Sequence, residues 1–159
     1  MESKGYGKPN DIYPWITDEL EKRGIPRKHV IFEGFSMGSA NSYAVTYLDH
    51  TQPEPYFAVT ISNAGQLEDN FPPNRMFLEK RESKPFTGVH WIIYCGDKDA
   101  QHGCVPMSQT KQELESLGAT IDEFIQDPEG DHGGFMHHSD MTDRALSAAD
   151  RIIAAEAHS

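Results

Sequence analysis

The chain has 159 residues, a length that suits one domain with a hydrophobic core. Its 25 acidic residues outnumber 14 basic ones and give a formal net charge of −11, which repels phosphate backbones and anionic membranes and argues against nucleic-acid binding. No stretch approaches the roughly 20 apolar residues that span a bilayer. The first residues contain no apolar signal segment, so a cytoplasmic location is favoured.

The predicted elements alternate between helices and strands along the chain. The first helix begins at Asn10 or Asp11, and Gly24 ends it. Four short apolar runs predict strands at residues 29–32, 56–61, 90–95 and 120–125. Further helices are predicted at residues 38–48 and 106–117 and after Ser139, and residues 66–89 are predicted to form a long loop.

This alternation predicts parallel β-α-β units. The strand runs are apolar throughout rather than alternating, as expected where helices cover both faces of a sheet. We therefore predict an α/β fold, a three-layer αβα sandwich with a mostly parallel sheet, forming a single domain over residues 1–159.

The motif Gly34-Phe35-Ser36-Met37-Gly38 lies between the first predicted strand and the helix that follows it. A sharp turn from strand to helix holds such a serine in a strained conformation, with its hydroxyl above the sheet edge. Glycines on either side remove Cβ atoms that would clash with the neighbouring elements. Ser36 is therefore predicted to be a nucleophile.

A serine hydroxyl needs a base to take its proton and a third group to orient the base. The loop after the third strand offers Asp97 and Asp99, and the loop after the fourth offers His132. Both loops follow the carboxyl ends of strands, where ligand sites form in open parallel sheets. His102, in the acid loop, competes with His132 but lies close in sequence to Asp99.

Residues 30–39 resemble the nucleophile elbow of esterases in the α/β-hydrolase superfamily, especially the carboxylesterase and feruloyl-esterase branches. Gly96-Asp97-Lys98-Asp99 is similar to the family's acid motif, and residues 130–135 are similar to its histidine loop. The resemblance covers the chain from about Asp11 onward. It implies Ser36, Asp99 and His132 as the catalytic triad, with Asp99 preferred over Asp97 because it ends the acid motif.

The resemblance also implies an oxyanion site in which the backbone N–H of Met37 is one donor. Typical members carry several more strands before the elbow, including a loop that supplies the second donor. Gly5-Tyr6-Gly7 is a candidate for a remnant of that loop or a substitute for it, with a flexible terminus as the alternative. A four-strand sheet would expose the edge of its first strand, so a homodimer covering that edge is expected; a minimal hydrolase and a fragment are the alternatives.

Four residues are candidates for substrate contacts: Phe35, Asn63, Phe71 and Phe77. Those in the long loop, Phe71 and Phe77, either face an acyl or aryl group or pack as core beneath the loop.

The two cysteines, Cys95 and Cys104, are interpreted as free thiols in a reducing compartment, with a disulfide as the alternative. Neither they nor His137 and His138 have partners at a known metal-site spacing, so no metal or other cofactor is expected.

The predicted function is hydrolysis of small or short-chain acyl or aryl esters through an acyl-serine intermediate. A thioesterase or peptidase would use the same triad. A catalytically weak, hydrolase-like binding module or a fragment is the alternative from another class. A nucleotide-binding domain is disfavoured because the chain lacks both glycine-rich phosphate-binding motifs.

Overall fold

The computed structural model of the chain describes residues 8–159. Four parallel strands form one sheet in the order β1-β2-β3-β4. The strands are β1 (Val30–Phe35), β2 (Phe57–Asn63), β3 (His90–Gly96) and β4 (Thr120–Asp127). The helices are α1 (Pro9–Lys22), α2 (Met37–His50), α3 (Arg75–Leu78), α4 (Cys104–Ser116), α5 (Gly134–His137) and α6 (Ser139–Glu156).

Helices cover both faces of the sheet, and each face has its own core. On one face α2 and α4 pack through residues such as Tyr43 and Met107 against the fully buried Trp91. On the other face α6 packs through Ala149 and its neighbours against the sheet residue Ile92. The predicted αβα sandwich with a parallel sheet is therefore confirmed.

The strands extend further than their apolar runs predicted. Each continues by one to three residues at its carboxyl end, to Phe35, Asn63, Gly96 and Asp127 respectively. The sequence pattern missed these ends because they include polar and small residues. They all lie at the same edge of the sheet, where the loops carrying the candidate catalytic residues begin.

The predicted loop at residues 66–89 contains the short helix α3 and two 3₁₀ turns, Pro72–Asn74 and Arg81–Ser83.

Strand β1 pairs with β2 and with no other strand of residues 8–159, so it is an edge of this sheet. Among residues 8–159, no helix is long and apolar enough to cross a membrane.

The preferred interpretation of the two cysteines as free thiols is wrong. Cys95 at the end of β3 and Cys104 at the start of α4 form a disulfide, with their Cα atoms 5.0 Å apart. The bond closes the loop that carries Asp99, which lies between them in sequence. The structure thus favours the alternative that the sequence left open, because the loop folds back and brings the start of α4 beside the strand end.

Candidate active site

The backbone at Ser36 has the conformation of a strained nucleophile elbow. Its φ of 54° and ψ of −115° lie outside the regions that residues with a Cβ normally occupy. Such a conformation costs of order 1–3 kcal/mol and persists only where the surroundings enforce it. The strand–helix junction enforces it here, because the Ser36 N–H donates to the carbonyl of Asn63 and the Ser36 carbonyl accepts from Ala40.

Two glycines permit the tight turn, but only one belongs to the predicted pair. A Cβ at Gly34 would lie 2.3 Å from the carbonyl oxygen of Gly38. A Cβ at Gly38 itself would meet nothing within 4 Å, so the expected clash at that position is absent. The second tight contact is at Gly65, after β2, where a Cβ would lie 2.0 Å from the Ser36 carbonyl oxygen.

Ser36, His132 and Asp99, from three separate loops, form one hydrogen-bonded chain. His132 Nε2 lies 2.9 Å from Ser36 Oγ, and His132 Nδ1 lies 2.8 Å from Asp99 Oδ2. Because a carboxylate oxygen only accepts, Nδ1 must carry a proton, and the neutral ring then has its lone pair on Nε2. This arrangement can remove the serine proton as a nucleophile forms.

The Asp99 carboxylate is buried, and both of its oxygens accept hydrogen bonds. Its Oδ1 accepts hydrogen bonds from the backbone N–H groups of Gln101 and His102, and its Oδ2 accepts from His132. Burial alone would raise the pKa of this carboxyl, but the hydrogen bonds from His102, His132 and Gln101 outweigh it and lower the pKa. Asp97, in contrast, is exposed and accepts a hydrogen bond from Gln126.

His102 does not replace His132 at the nucleophile. Its Nδ1 lies 3.0 Å from Gln66 Oε1, and its ring centroid lies 5.5 Å from that of His132. The Phe35 ring also packs beside His132, with ring centroids 5.0 Å apart. Both rings therefore restrict the His132 imidazole, which is the ring that is hydrogen-bonded to Ser36 Oγ.

Met37 is the first residue of α2, directly after the nucleophile. The first backbone N–H groups of a helix have no partner within the helix and carry the positive end of its dipole. The Met37 N–H is thus suitably located for an oxyanion donor. The suggested substitute for the second donor, Gly5-Tyr6-Gly7, lies outside the residues that the structure describes.

A cavity of about 340 Å³ opens beside the Ser36 hydroxyl. Besides Ser36, its lining residues are Met37, Ala40, Asn41, Glu68, Phe71 and His102. Phe71 is the one predicted substrate contact on this wall, and Phe35 reaches the site through its contact with His132.

The structure places two of the predicted substrate contacts away from the cavity wall. Phe77 is completely buried in the core between Tyr47 and Phe86, because the short helix α3 turns it inward. Asn63 is also completely buried, and its Nδ2 donates to Glu33 on the edge strand rather than facing the cavity.

The sequence interpretation missed two polar residues of the cavity wall, Asn41 and Glu68, and considered His102 only as a competitor of His132. Asn41 lies one helical turn after Met37, and its Nδ2 donates to the Met37 carbonyl. Glu68 follows β2. Its position after the carboxyl end of a strand is the sequence signal that could have identified it. In residues 8–159 no group of three His, Cys, Asp or Glu side chains is placed to hold a metal ion.

No protein-family model matches the sequence, and the curated proteins contain no significant match. Solved structures do match. SOBER1 from Arabidopsis thaliana has a TM-score of 0.70 at 16% identity, over 91% of this chain and 62% of SOBER1. Esterase PE8 has a TM-score of 0.64 at 19% identity, over 90% of this chain and 59% of PE8.

A carboxylesterase from Bacillus cereus also matches, with a TM-score of 0.59 at 12% identity, over 91% of this chain and 59% of the esterase. The chain thus spans 59–62% of the length of these three proteins. Together with the parallel sheet and the strained serine at its edge, these likenesses identify the architecture of the chain as the α/β-hydrolase fold.

Proposed function

We propose that the chain carries the active site of a serine hydrolase that cleaves carboxylic esters of small or short-chain acyl or aryl groups. The observation that supports this most strongly is the hydrogen-bonded chain from Asp99 through His132 to Ser36. The esterase names among the structural neighbours support ester hydrolysis in general.

The proposed reaction has two halves that use the same residues. Ser36 Oγ attacks the ester carbonyl carbon while His132 Nε2 accepts the hydroxyl proton, and the oxyanion lies against the Met37 N–H. The C–O bond to the alcohol then breaks, and His132 returns the proton to the leaving oxygen. His132 next deprotonates a water that attacks the acyl carbon. The bond to Ser36 Oγ breaks, His132 returns the proton to Oγ, and the acid is released. Asp99 stabilises the imidazolium in both halves without taking its proton.

The cavity beside Ser36 sets the size and polarity of the proposed substrate. Phe71, Met37 and Ala40 give it apolar walls suited to a small acyl or aryl group. Two other lining residues, Glu68 and His102, offer hydrogen-bond acceptors. Gln66 Nε2 donates to Glu68, so Gln66 Oε1 accepts from His102 Nδ1. With its proton on Nδ1, the uncharged form of the His102 ring offers an acceptor at Nε2.

We therefore expect a substrate end that donates hydrogen bonds, such as a hydroxyl or ammonium group, to be favoured over a carboxylate. The test uses three p-nitrophenyl esters of equal chain length that end in a methyl, an ammonium or a carboxylate group. Glu68→Gln should lower the preference for ammonium over carboxylate in kcat/KM roughly two- to fivefold, the range for an exposed charge pair. Asp69→Asn, a neighbouring exposed acid, is the control and should leave the preference unchanged.

The hydrolase itself is tested with a fluorophosphonate probe, which labels activated serines, and with p-nitrophenyl acetate. The unaltered chain should be labelled and active, and Ser36→Ala should lose both properties. Ser83→Ala, which removes an exposed hydroxyl bonded to the Lys80 carbonyl, should keep both. Absence of labelling and of Ser36-dependent turnover would favour the hydrolase-like binding module instead.

A further inference from the structure

We propose that a second hydrogen-bonded carboxylate–histidine pair, outside the proposed triad, positions the loop that carries His132. The pair is Asp127 and His138, which with Tyr94 we call the Asp127 cluster. Its members are positioning residues, since none of them touches Ser36 or the cavity beside it. The inference rests on the proposed function for its effect on activity, but its effect on the His132–Asp99 hydrogen bond can be measured without turnover.

Three donors converge on the Asp127 carboxylate at the end of β4. The Tyr94 hydroxyl donates to Oδ2 at 2.7 Å, His138 Nδ1 donates to the same oxygen at 2.5 Å, and the Glu129 N–H donates to Oδ1 at 3.1 Å. Asp127 is 2% exposed and Tyr94 is completely buried. A buried carboxylate held by this many donors is a rigid point in the structure, because losing any one donor would leave a buried charge poorly satisfied.

The glycines on either side of His132 pack directly on this cluster. A Cβ at Gly130 would lie 2.3 Å from the Tyr94 hydroxyl and 2.6 Å from Asp127 Oδ2. A Cβ at Gly134 would also lie 2.3 Å from the Tyr94 hydroxyl. The His132 loop thus packs against the Tyr94–Asp127 pair through Gly130 and Gly134, and a larger residue at either position would clash with the Tyr94 hydroxyl.

Backbone hydrogen bonds connect Asp127 and the His132 loop to the loop that carries Asp99. The Asp127 carbonyl accepts from the N–H groups of Gly130 and Asp97, and the Gly130 carbonyl accepts from the Lys98 N–H. The histidine loop and the acid loop are therefore fastened to each other beside Asp127. A shift of either loop would change the 2.8 Å contact between His132 and Asp99.

His138 closes the cluster from the far side of the histidine loop. His138 follows α5, and its backbone N–H donates to the Gly134 carbonyl. Its side chain therefore links the end of the segment that follows His132 to Asp127. The hydrogen bond with Asp127 raises the pKa of His138, which favours the charged ring. Burial opposes ionisation of Asp127, but the hydrogen bonds from His138 and Tyr94 prevail and lower the pKa of its carboxyl.

The test compares His138→Phe, which removes the donor, with His138→Gln, which restores one, and with His137→Phe, the same change at the exposed neighbouring histidine. We expect His138→Phe to lower kcat for p-nitrophenyl acetate roughly 10- to 100-fold, as for a catalytic group displaced by about 1 Å, with KM changed less than about twofold. His138→Gln should recover most of this loss, and His137→Phe should match the unaltered chain.

Proton NMR of the His132 Nδ1–H provides the readout that does not need turnover. The downfield resonance of this proton should shift or broaden in His138→Phe and be retained in the other two variants. An unchanged resonance and kcat in a folded His138→Phe chain would overturn the inference, even if its unfolding midpoint fell. If the unaltered chain lacks Ser36-dependent turnover, the proposed function fails, while the resonance still decides the positioning role.

Discussion

Ser36 is held by contacts on both sides of the strand–helix turn, and these contacts are specific to individual residues. Gly34 lets the helix start approach β1, and Gly65 lets the loop after β2 pass over the Ser36 carbonyl. The motif around Ser36 indicated the turn but not Gly65, which lies 29 residues later in the chain. Contacts between loops distant in sequence depend on the register of the strands, which local pattern does not contain.

Asp99 and Asp97 provide the sharpest comparison at the residue scale. Asp99→Asn should lower kcat by about 10⁴-fold, because the amide cannot hold the tautomer that leaves a lone pair on His132 Nε2. Asp97→Asn should stay within about twofold, since its side chain contacts Gln126 and not His132. Steady-state kinetics with p-nitrophenyl acetate measures both. Equal losses in the two variants would contradict the assignment.

The order of the catalytic candidates along the chain, and their positions after strand ends, could be predicted because parallel strands bring their carboxyl ends to one edge. The direction of side chains within the long loop could not. Phe71 faces the cavity and Phe77 the core, although both are phenylalanines in the same predicted loop. The packing of α3 against α2 determines which of the two side chains is buried, and this packing cannot be predicted from composition.

At the scale of elements, the disulfide ties the end of β3 to the start of α4 and closes the loop around Asp99. The sequence could not decide the redox state of the cysteines, because their separation of 9 residues is compatible with both states. The observed bond joins β3 and α4 within the core that contains Trp91 and Met107, and Cys95 is completely buried there.

Replacing both cysteines, Cys95→Ser with Cys104→Ser, should lower the free energy of unfolding by about 2–3 kcal/mol, the value expected for a short closed loop. It should also lower kcat more than it raises KM, because the freed loop carries Asp99. Urea unfolding and steady-state kinetics measure the two effects. Full activity in the double variant would mean that the hydrogen bonds around Asp99 suffice to order the loop.

At the scale of the whole molecule, β1 is an edge strand of the described sheet, with Val30 to Phe32 partly buried. Unpaired edges favour pairing with another chain. The chain spans 59–62% of the length of the three similar proteins. We retain the prediction that two copies associate there.

Light scattering after size-exclusion chromatography should then give twice the chain mass at high concentration. Val30→Lys, which places a charge on the edge strand, should shift the chain toward the monomer. Val105→Lys, at a valine that is 74% exposed on α4, is the matched control and should not. A monomer at all concentrations, or equal effects of the two variants, would contradict an interface at β1.

The central claim is that Ser36 becomes acylated during turnover. The most direct measurement is acid quenching within the first turnover of p-nitrophenyl acetate, followed by peptide mass spectrometry. We predict one acetyl group on the peptide containing Ser36, mapped to its side chain, and no such adduct in Ser36→Ala. Ester turnover without acylation of Ser36, or acylation at another residue with full activity in Ser36→Ala, would contradict the account.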